Sequence, residues 1–205
     1  MKTLPSLLFL VALLLTIGCE PHSGPIEQIA AKAASPSGGR AAVVADVVQG
    51  VKSKTFAVGD LIDYAYDKLE KAAGKSAGAS PDQAASKAAT ALAGGILDAV
   101  AQLKQELPQG GEHELFWMKV GRLAFKAGEE AFANQRLEEA HSLALGGSAR
   151  WQNEPYWLRY PDHDALVSAI MSARGDRGGA IQRLQARSDL SGPALEVYDK
   201  LRVGK

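Results

Sequence analysis

A short stretch in the C-terminal half concentrates the aromatic side chains that could bind a ligand. Trp151, Tyr156, Trp157 and Tyr160 fall within ten residues, and Arg159 stands among them. Aromatic rings stack on sugar rings and on peptide side chains, while an arginine adds hydrogen-bond donors. The favoured interpretation is structural: a long loop between helices is held together by its own aromatic plug. The alternative is that the cluster forms a binding platform for a carbohydrate or a peptide.

One pair of residues has the spacing of a metal site. Glu138 and His141 are three residues apart, which places both on one face of a helix. A di-iron carboxylate site needs two Glu-x-x-His pairs and two further glutamates, but the sequence has no second pair. It also lacks the glycine-flanked serine of hydrolases, a phosphate-binding glycine loop and the His-Glu-x-x-His pattern. We therefore expect no catalytic residue, no metal and no cofactor, and predict that the chain is not an enzyme.

The N-terminus has the charge and hydropathy of an export signal. Lys2 provides a positive charge, and Leu7–Leu15 is an uninterrupted run of nine apolar residues. A transmembrane helix needs about 20 apolar residues, so this run is too short to span a bilayer. It has the length of the apolar part of a signal peptide. Residues 1–18 are therefore predicted to be a signal peptide.

The residues that end this signal, Leu15-Thr16-Ile17-Gly18-Cys19, resemble the lipobox of bacterial lipoproteins. The match is good at Gly18 and Cys19, and it departs at Thr16, where the family usually has leucine. The resemblance implies that a diacylglycerol is attached to the sulfur of Cys19, that the chain is cut before this residue, and that the new amino group is acylated. In the alternative, the general signal peptidase cuts the chain and Cys19 is incidental.

The same resemblance implies a destination in the cell envelope. Each buried CH₂ group of an acyl chain contributes about 0.8 kcal/mol, so two or three chains anchor a protein to a bilayer. Lipoproteins retained at the inner membrane commonly have aspartate after the cysteine, whereas this chain has Glu20. The resemblance therefore favours the periplasmic face of the outer membrane over the inner membrane.

The charge balance excludes some classes of partner. The 205 residues include 23 basic and 23 acidic residues. Without a basic excess, the chain is not expected to bind nucleic acid. No block of like charge forms a patch for an anionic membrane surface, so the bilayer is expected to be contacted through Cys19.

Prolines and glycines separate the signal from a helical domain. Pro21, Pro25, Pro36 and Gly38-Gly39 predict a flexible tether over residues 19–40, which leaves room only for a short helix at Ile26–Ala34. In the domain that follows, residues 41–205, apolar side chains recur every three or four residues. This spacing predicts helices over Ala41–Lys52, Asp60–Ala73, a segment that begins at Ser80, Glu112–Ala133, Arg136–Leu145, Asp164–Arg174, Gly179–Arg187 and Pro193–Val203.

No segment has the period of two that is typical of strands, so the predicted fold class is all-α. The architecture is expected to be either antiparallel helical hairpins, stacked as in an α-solenoid, or an irregular helical bundle. Ser80-Pro81-Asp82-Gln83 predicts a helix start capped by Ser80. Gly94-Gly95 inside that helix predicts a close helix crossing or a bend, with a functional hinge as the alternative. Leu195 in the last helix is expected to face inward.

The segment around Gly175 is similar to the turn of a tetratricopeptide repeat. In that family a Gly-Asp turn joins two antiparallel helices, and a small residue five positions later allows their close contact. Gly175-Asp176 matches the turn, Ala180 matches the small residue, and Leu184 matches a following core position. Tyr198 would then begin a truncated further unit.

A second, more divergent unit precedes it. Gly128 and Ala140 have the spacing of the family's first glycine and second-helix alanine, but Gln135 stands where the turn glycine is expected. Ala140 and Ala180 are 40 residues apart, whereas the family's period is 34. The resemblance covers residues 112–205 and implies stacked hairpins that bind peptides or proteins.

Together these patterns predict a membrane-anchored envelope lipoprotein whose helical domain binds a protein partner or assists assembly. The alternative is a lipoprotein that binds peptidoglycan or another carbohydrate through the aromatic residues between 151 and 160.

Overall fold

A computed structural model describes residues 24–74, 82–103, 106–107, 112–146 and 161–204, and for residues 112–114 and 161 it describes the backbone alone. These residues form nine α-helices and no strand, so the predicted all-α class is confirmed. The helices are α1 (Pro25–Ala34), α2 (Arg40–Lys52), α3 (Val58–Gly74), α4 (Gln83–Gln102), α5 (Glu112–Ala133), α6 (Leu137–Ala144), α7 (Pro161–Ala173), α8 (Arg177–Gln185) and α9 (Gly192–Val203).

Consecutive helices pack against each other as three hairpins, namely α3–α4, α5–α6 and α7–α8. The first helix of each hairpin also packs against the first helix of the next, so that α3, α5, α7 and α9 follow one another in a row. Because α4 returns antiparallel to α3 and α5 returns again, α3 and α5 run in the same direction. The row of first helices forms one side of the molecule.

Helix α4 lies at the centre of the main core because α1, α2, α3 and α5 all pack against it. Its Leu92, Ile96 and Leu97 are fully enclosed. Gly95 allows α2 to cross closely, since a Cβ atom at Gly95 would lie 2.5 Å from the Cβ of Val43. The helix continues unbroken through Gly94 and Gly95, so this pair makes the close crossing expected from the sequence.

Part of the predicted tether belongs to the folded domain. Pro25–Ala34 is a helix that packs against α2 and α4, and Ile29 and Ala33 are buried. The prolines that suggested a tether lie at the ends of this helix and do not interrupt it. Pro25 stands at its first position, where a missing N–H is tolerated. The prediction of a tether over residues 19–40 therefore fails for residues 25–34.

Two local predictions also differ from the structure. Helix α4 begins after Asp82, whose carboxylate accepts a hydrogen bond from the N–H of Ala85 at 3.1 Å, so the cap is Asp82 rather than Ser80. In α9, Leu195 is 43% exposed, and its neighbour Ala194 is buried in its place. Leu201 is buried and Tyr198 packs against the same small cluster, so α9 keeps its apolar face and only Leu195 departs from the prediction.

The turns after α5 and α7 have the same backbone geometry although their sequences differ. Gln135 and Gly175 both have positive φ, 59° and 95°. The next residue in each turn, Arg136 or Asp176, donates its N–H to a carbonyl five residues earlier at 2.9 Å. Ala140 and Ala180, five residues after these positions, are both fully buried. The departure at Gln135 therefore does not change the form of the turn.

Candidate functional site

The residues that the sequence marks as lipidation or binding sites lie outside the described part of the chain. They are Cys19, Trp151, Tyr156, Trp157, Arg159 and Tyr160. Candidate sites in the described residues must therefore be found from their own geometry.

The Glu-x-x-His pair is occupied by an arginine. Arg174 donates two hydrogen bonds to the carboxylate of Glu138, at 2.8 and 2.7 Å, and one to Nδ1 of His141 at 2.9 Å. Because a guanidinium can only donate, Nδ1 must be an acceptor and the imidazole is neutral in this arrangement. These hydrogen bonds lower the pKa of Glu138, while partial burial and the Arg174 charge lower the pKa of His141.

This cluster joins both turns of α6, through Glu138 in the first and His141 in the last, to the residue that follows α7, rather than forming a metal site. A cation fixed between the carboxylate and the imidazole takes the place where a metal ion would bind. Among the described residues, no three histidine, cysteine, aspartate or glutamate side chains are grouped to hold an ion.

A second polar cluster joins the turn after α5 to helix α4. Arg136 donates to the hydroxyl of Thr90 at 2.7 Å and to that of Ser86 at 2.8 Å. Asn134 also donates to the Ser86 hydroxyl, at 3.1 Å. Ser86 and Thr90 are buried, so these bonds satisfy hydroxyl groups that water cannot reach. Both polar clusters thus tie a turn to the preceding hairpin and have structural roles.

The side of the molecule formed by α3 and α5 carries two parallel rows of opposite charge. The acidic row on α3 consists of Asp63, Asp67 and Glu70, and the basic row on α5 consists of Lys119, Arg122 and Lys126. Spacings of three and four residues place each row on one face of its helix. Lys119 bonds to Asp63 at 2.5 Å, and the Arg122 guanidinium lies over the Tyr66 ring at 5.0 Å from its centroid.

These two contacts fix the register between the rows, because both join residues 56 positions apart. Glu70 is then level with Lys126. Partial burial opposes the charged form of Lys126, but its bond with Glu129 and the fields of Glu129, Tyr66 and Glu70 outweigh this effect and raise its pKa. Asp67, Glu70 and Arg122 form no ion pair with another described residue. Charges in both rows are therefore available to a partner.

A groove of about 250 Å³ runs between the rows and is lined by Ile62, Tyr66 and the charged side chains beside them. Leu115 and Met118 stand next to it on α5, at 66% and 42% exposure. The described residues include only two other large exposed apolar side chains, Leu195 and Val203 on α9. We call the two rows, the groove and these two apolar side chains the α3–α5 face.

A second groove, of about 400 Å³, lies between α1 and α3 above α4. Its floor is made of alanines and Leu92, and Lys68 and Lys71 stand on one side opposite Glu27. It has no exposed large apolar side chain, and its lining is dominated by methyl groups. It therefore offers fewer anchoring contacts than the α3–α5 face.

None of the helices in the described ranges combines the length and the hydropathy that a bilayer crossing requires. The chain matches no protein-family model, and no curated protein and no solved structure is significantly similar to it. The function must therefore be argued from the chain's own residues.

The α3–α5 face is not predicted from the sequence. The sequence does contain the pattern behind each row, because the acidic residues of α3 and the basic residues of α5 both recur at the helical spacing. Only the packing of α3 beside α5 places the two rows next to each other, and that long-range pairing cannot be read from either helix alone.

Proposed function

We propose that this protein is a membrane-anchored envelope lipoprotein whose helical domain docks another polypeptide on the α3–α5 face. The observation that carries the docking role is the pair Leu115 and Met118, exposed one turn apart beside a groove with charged walls. Protein interfaces combine a few apolar anchors with a polar rim that sets orientation. A flexible thioether such as that of Met118 suits such an anchor.

The stacked hairpins support the same class of function. Two of the hairpins share their turn geometry, at Gln135 and Gly175, and have a buried alanine, Ala140 or Ala180, at the equivalent position of the second helix. Proteins built from stacked helical hairpins present extended surfaces to peptides and proteins. A rigid, mostly alanine-packed frame of this kind would hold the α3–α5 face in a fixed shape.

The anchor is the second part of the proposal and rests on the lipobox resemblance. Cys19 would carry the acyl chains, and Glu20 after it favours the outer membrane. Helix α1 begins at Pro25, so five residues, 20–24, separate the acylated cysteine from the first helix. The domain would then lie close to the bilayer surface.

The anchor is tested by replacing Cys19 with serine. The wild-type chain should fractionate with membranes and show the mass of an acylated chain that begins at Cys19. The serine variant should remain unprocessed or become soluble. If the serine variant still fractionates with membranes at the normal mature mass, the anchor is wrong.

The docking surface is tested by a photoreactive amino acid at Met118 in cells that produce the protein. We expect a discrete cross-linked product at this position and none from the matched position Leu195, which is equally exposed on α9. Changing Leu115 to aspartate should abolish the product, whereas changing Val203 to aspartate should not. Equal labelling from Met118 and Leu195 would contradict the docking role.

A further inference from the structure

We infer that the polypeptide docked on the α3–α5 face is a second copy of this chain, arranged as a symmetric dimer. This inference rests on the docking surface proposed above and names its occupant. It follows from the arrangement of charges on two neighbouring helices. Along the face α3 presents the acidic row and α5 presents the basic row, which ends at Glu129, an acid already paired with Lys126 at 3.1 Å.

The geometry of a two-fold axis decides which row meets which. If the axis lies in the interface and runs parallel to the helices, it places α3 of one copy opposite α5 of the other, running in the same direction. The acidic row of each copy then faces the basic row of its partner. A two-fold axis that lies in the interface but runs perpendicular to the helices would instead place α3 opposite α3 and α5 opposite α5, and so bring like charges together. Opposite charges across an interface select the first arrangement and exclude the second.

The register is also satisfied, because rotation about this axis does not shift either helix along its length. Lys119 is level with Asp63 within one copy, so it meets Asp63 of the second copy at the same height. By the same register, Arg122 lies opposite Tyr66 and Asp67 of the second copy, and Lys126 lies opposite its Glu70. Asp67, Glu70 and Arg122, which form no ion pair with another described residue, all acquire a neighbour of opposite sign.

The two apolar anchors fit the same arrangement. Applying the 56-residue register, Leu115 faces Gly59 of the second copy and Met118 faces Ile62. Gly59 has open space where a Cβ atom would stand, so a leucine side chain can approach the backbone there. Ile62 is buried at the floor of the groove between the rows, so Met118 enters the groove above it without covering an exposed apolar side chain. Because the interface is isologous, each of these contacts occurs twice.

The test measures the mass of the intact mature chain in a nonionic detergent by sedimentation. The wild type should be a dimer at micromolar concentration. Lys119→Glu with Arg122→Glu reverses two of the three charges in the basic row, and Asp63→Lys with Asp67→Lys reverses two of the three in the acidic row. Each variant alone should be monomeric, with a dimer Kd raised at least about 100-fold, whereas an equimolar mixture of the two should again be dimeric. Recovery in the mixture distinguishes pairing of the rows from damage to the fold.

A matched control places the same charge change elsewhere. Lys200→Glu with Arg202→Glu reverses two exposed cations on α9 and should leave the dimer unchanged. Salt tests the same charge pairing in the wild type. Raising NaCl from about 50 mM to about 500 mM should weaken the dimer because exposed charges are screened. A dimer that is insensitive to both the charge reversals and salt would overturn the inference.

The failure of this inference can be distinguished from the failure of the docking role. A wild-type chain that stays monomeric at about 100 μM, with a Met118 cross-link in cells to a different protein, overturns the dimer and leaves the docking surface intact. A monomer without any Met118 cross-link overturns both. A Met118 cross-linked product of twice the mature mass, containing only this chain, supports both.

Discussion

Val43 on α2 lies directly against Gly95 on α4, so closely that α2 must move if position 95 gains a side chain. A Cβ atom there would lie 2.5 Å from the Cβ of Val43 and 2.8 Å from the carbonyl oxygen of Arg40. The crossing holds the first part of the chain against the central helix. It also places Arg40 where its guanidinium bonds to Asp98, at 2.5 and 2.9 Å.

Gly95→Ala is therefore expected to destabilise the fold. Alanine gains about 1 kcal/mol over glycine in a helix, but overpacking of a core commonly costs about 1–3 kcal/mol. We expect a net loss, measured as a lower midpoint of thermal or urea unfolding. Gly178→Ala is the matched control, since a Cβ atom at Gly178 in α8 meets nothing within 4 Å. It should stabilise by about 0.5–1 kcal/mol, and a loss at both positions would contradict the explanation.

The two turn arginines should differ in their contribution to stability. Arg136 bonds to hydroxyl groups of Ser86 and Thr90 that are buried, so Arg136→Ala removes charge-assisted bonds from an enclosed site and should cost about 1.5–3 kcal/mol. Arg174 bonds to Glu138, whose carboxylate is largely exposed, so Arg174→Ala should cost clearly less than Arg136→Ala. Urea unfolding of both variants tests the difference. Equal losses would mean that burial of the hydroxyl groups does not decide the effect.

The sequence predicts the helices well because their apolar positions follow the helical repeat. The predicted and observed bounds of α5 are the same, and the apolar residues that recur along it at the helical spacing, among them Val120, Leu123 and Ala127, are enclosed. Asp82 and Leu195 show where local patterns fail. A cap depends on which carboxylate or hydroxyl reaches a free N–H, and the face of a short helix depends on what packs against it.

The α3–α5 face could not be predicted for a different reason. Asp63 and Lys119 are 56 residues apart, and each belongs to an ordinary charged helix surface. Only tertiary packing makes them neighbours. The same holds for Glu138 and Arg174, where the sequence spacing of Glu138 and His141 suggested a metal ligand pair and the fold supplies an arginine instead.

The alternative function, carbohydrate or peptidoglycan binding through the aromatic cluster, makes its own prediction for Trp157. If Trp157 is part of a binding platform, Trp157→Ala should abolish binding to purified peptidoglycan and leave the thermal midpoint nearly unchanged. If the cluster is a structural plug, the midpoint should fall by several degrees. Trp117→Ala provides the comparison for the loss of a core tryptophan. Trp117 is buried on α5, so its replacement should lower the free energy of unfolding by about 3–5 kcal/mol.

His163 should make the fold less stable as the pH falls below about 6.5. Its Nε2 atom lies 2.6 Å from the carbonyl oxygen of Ala144, so Nε2 carries the proton and donates it. Burial lowers the pKa of His163, and the hydrogen bond to Ala144 offsets this only in part. The unfolded chain therefore binds a proton at a higher pH than the folded chain does, and stability rises with pH between the two pKa values.

This stability should be fully present above pH 6.5 and decrease as the pH falls toward the folded-state pKa of His163. The slope should reach at most about 1.4 kcal/mol per pH unit for this one proton. Urea unfolding at pH 7.5, 6.5 and 5.5 measures it, in a range above that in which carboxylates titrate. His163→Gln should flatten the dependence, and His141→Gln should flatten it less, because His141 is less buried than His163 and its imidazole also feels the favourable field of Glu138. An unchanged slope in His163→Gln would show that His163 is not the titrating group.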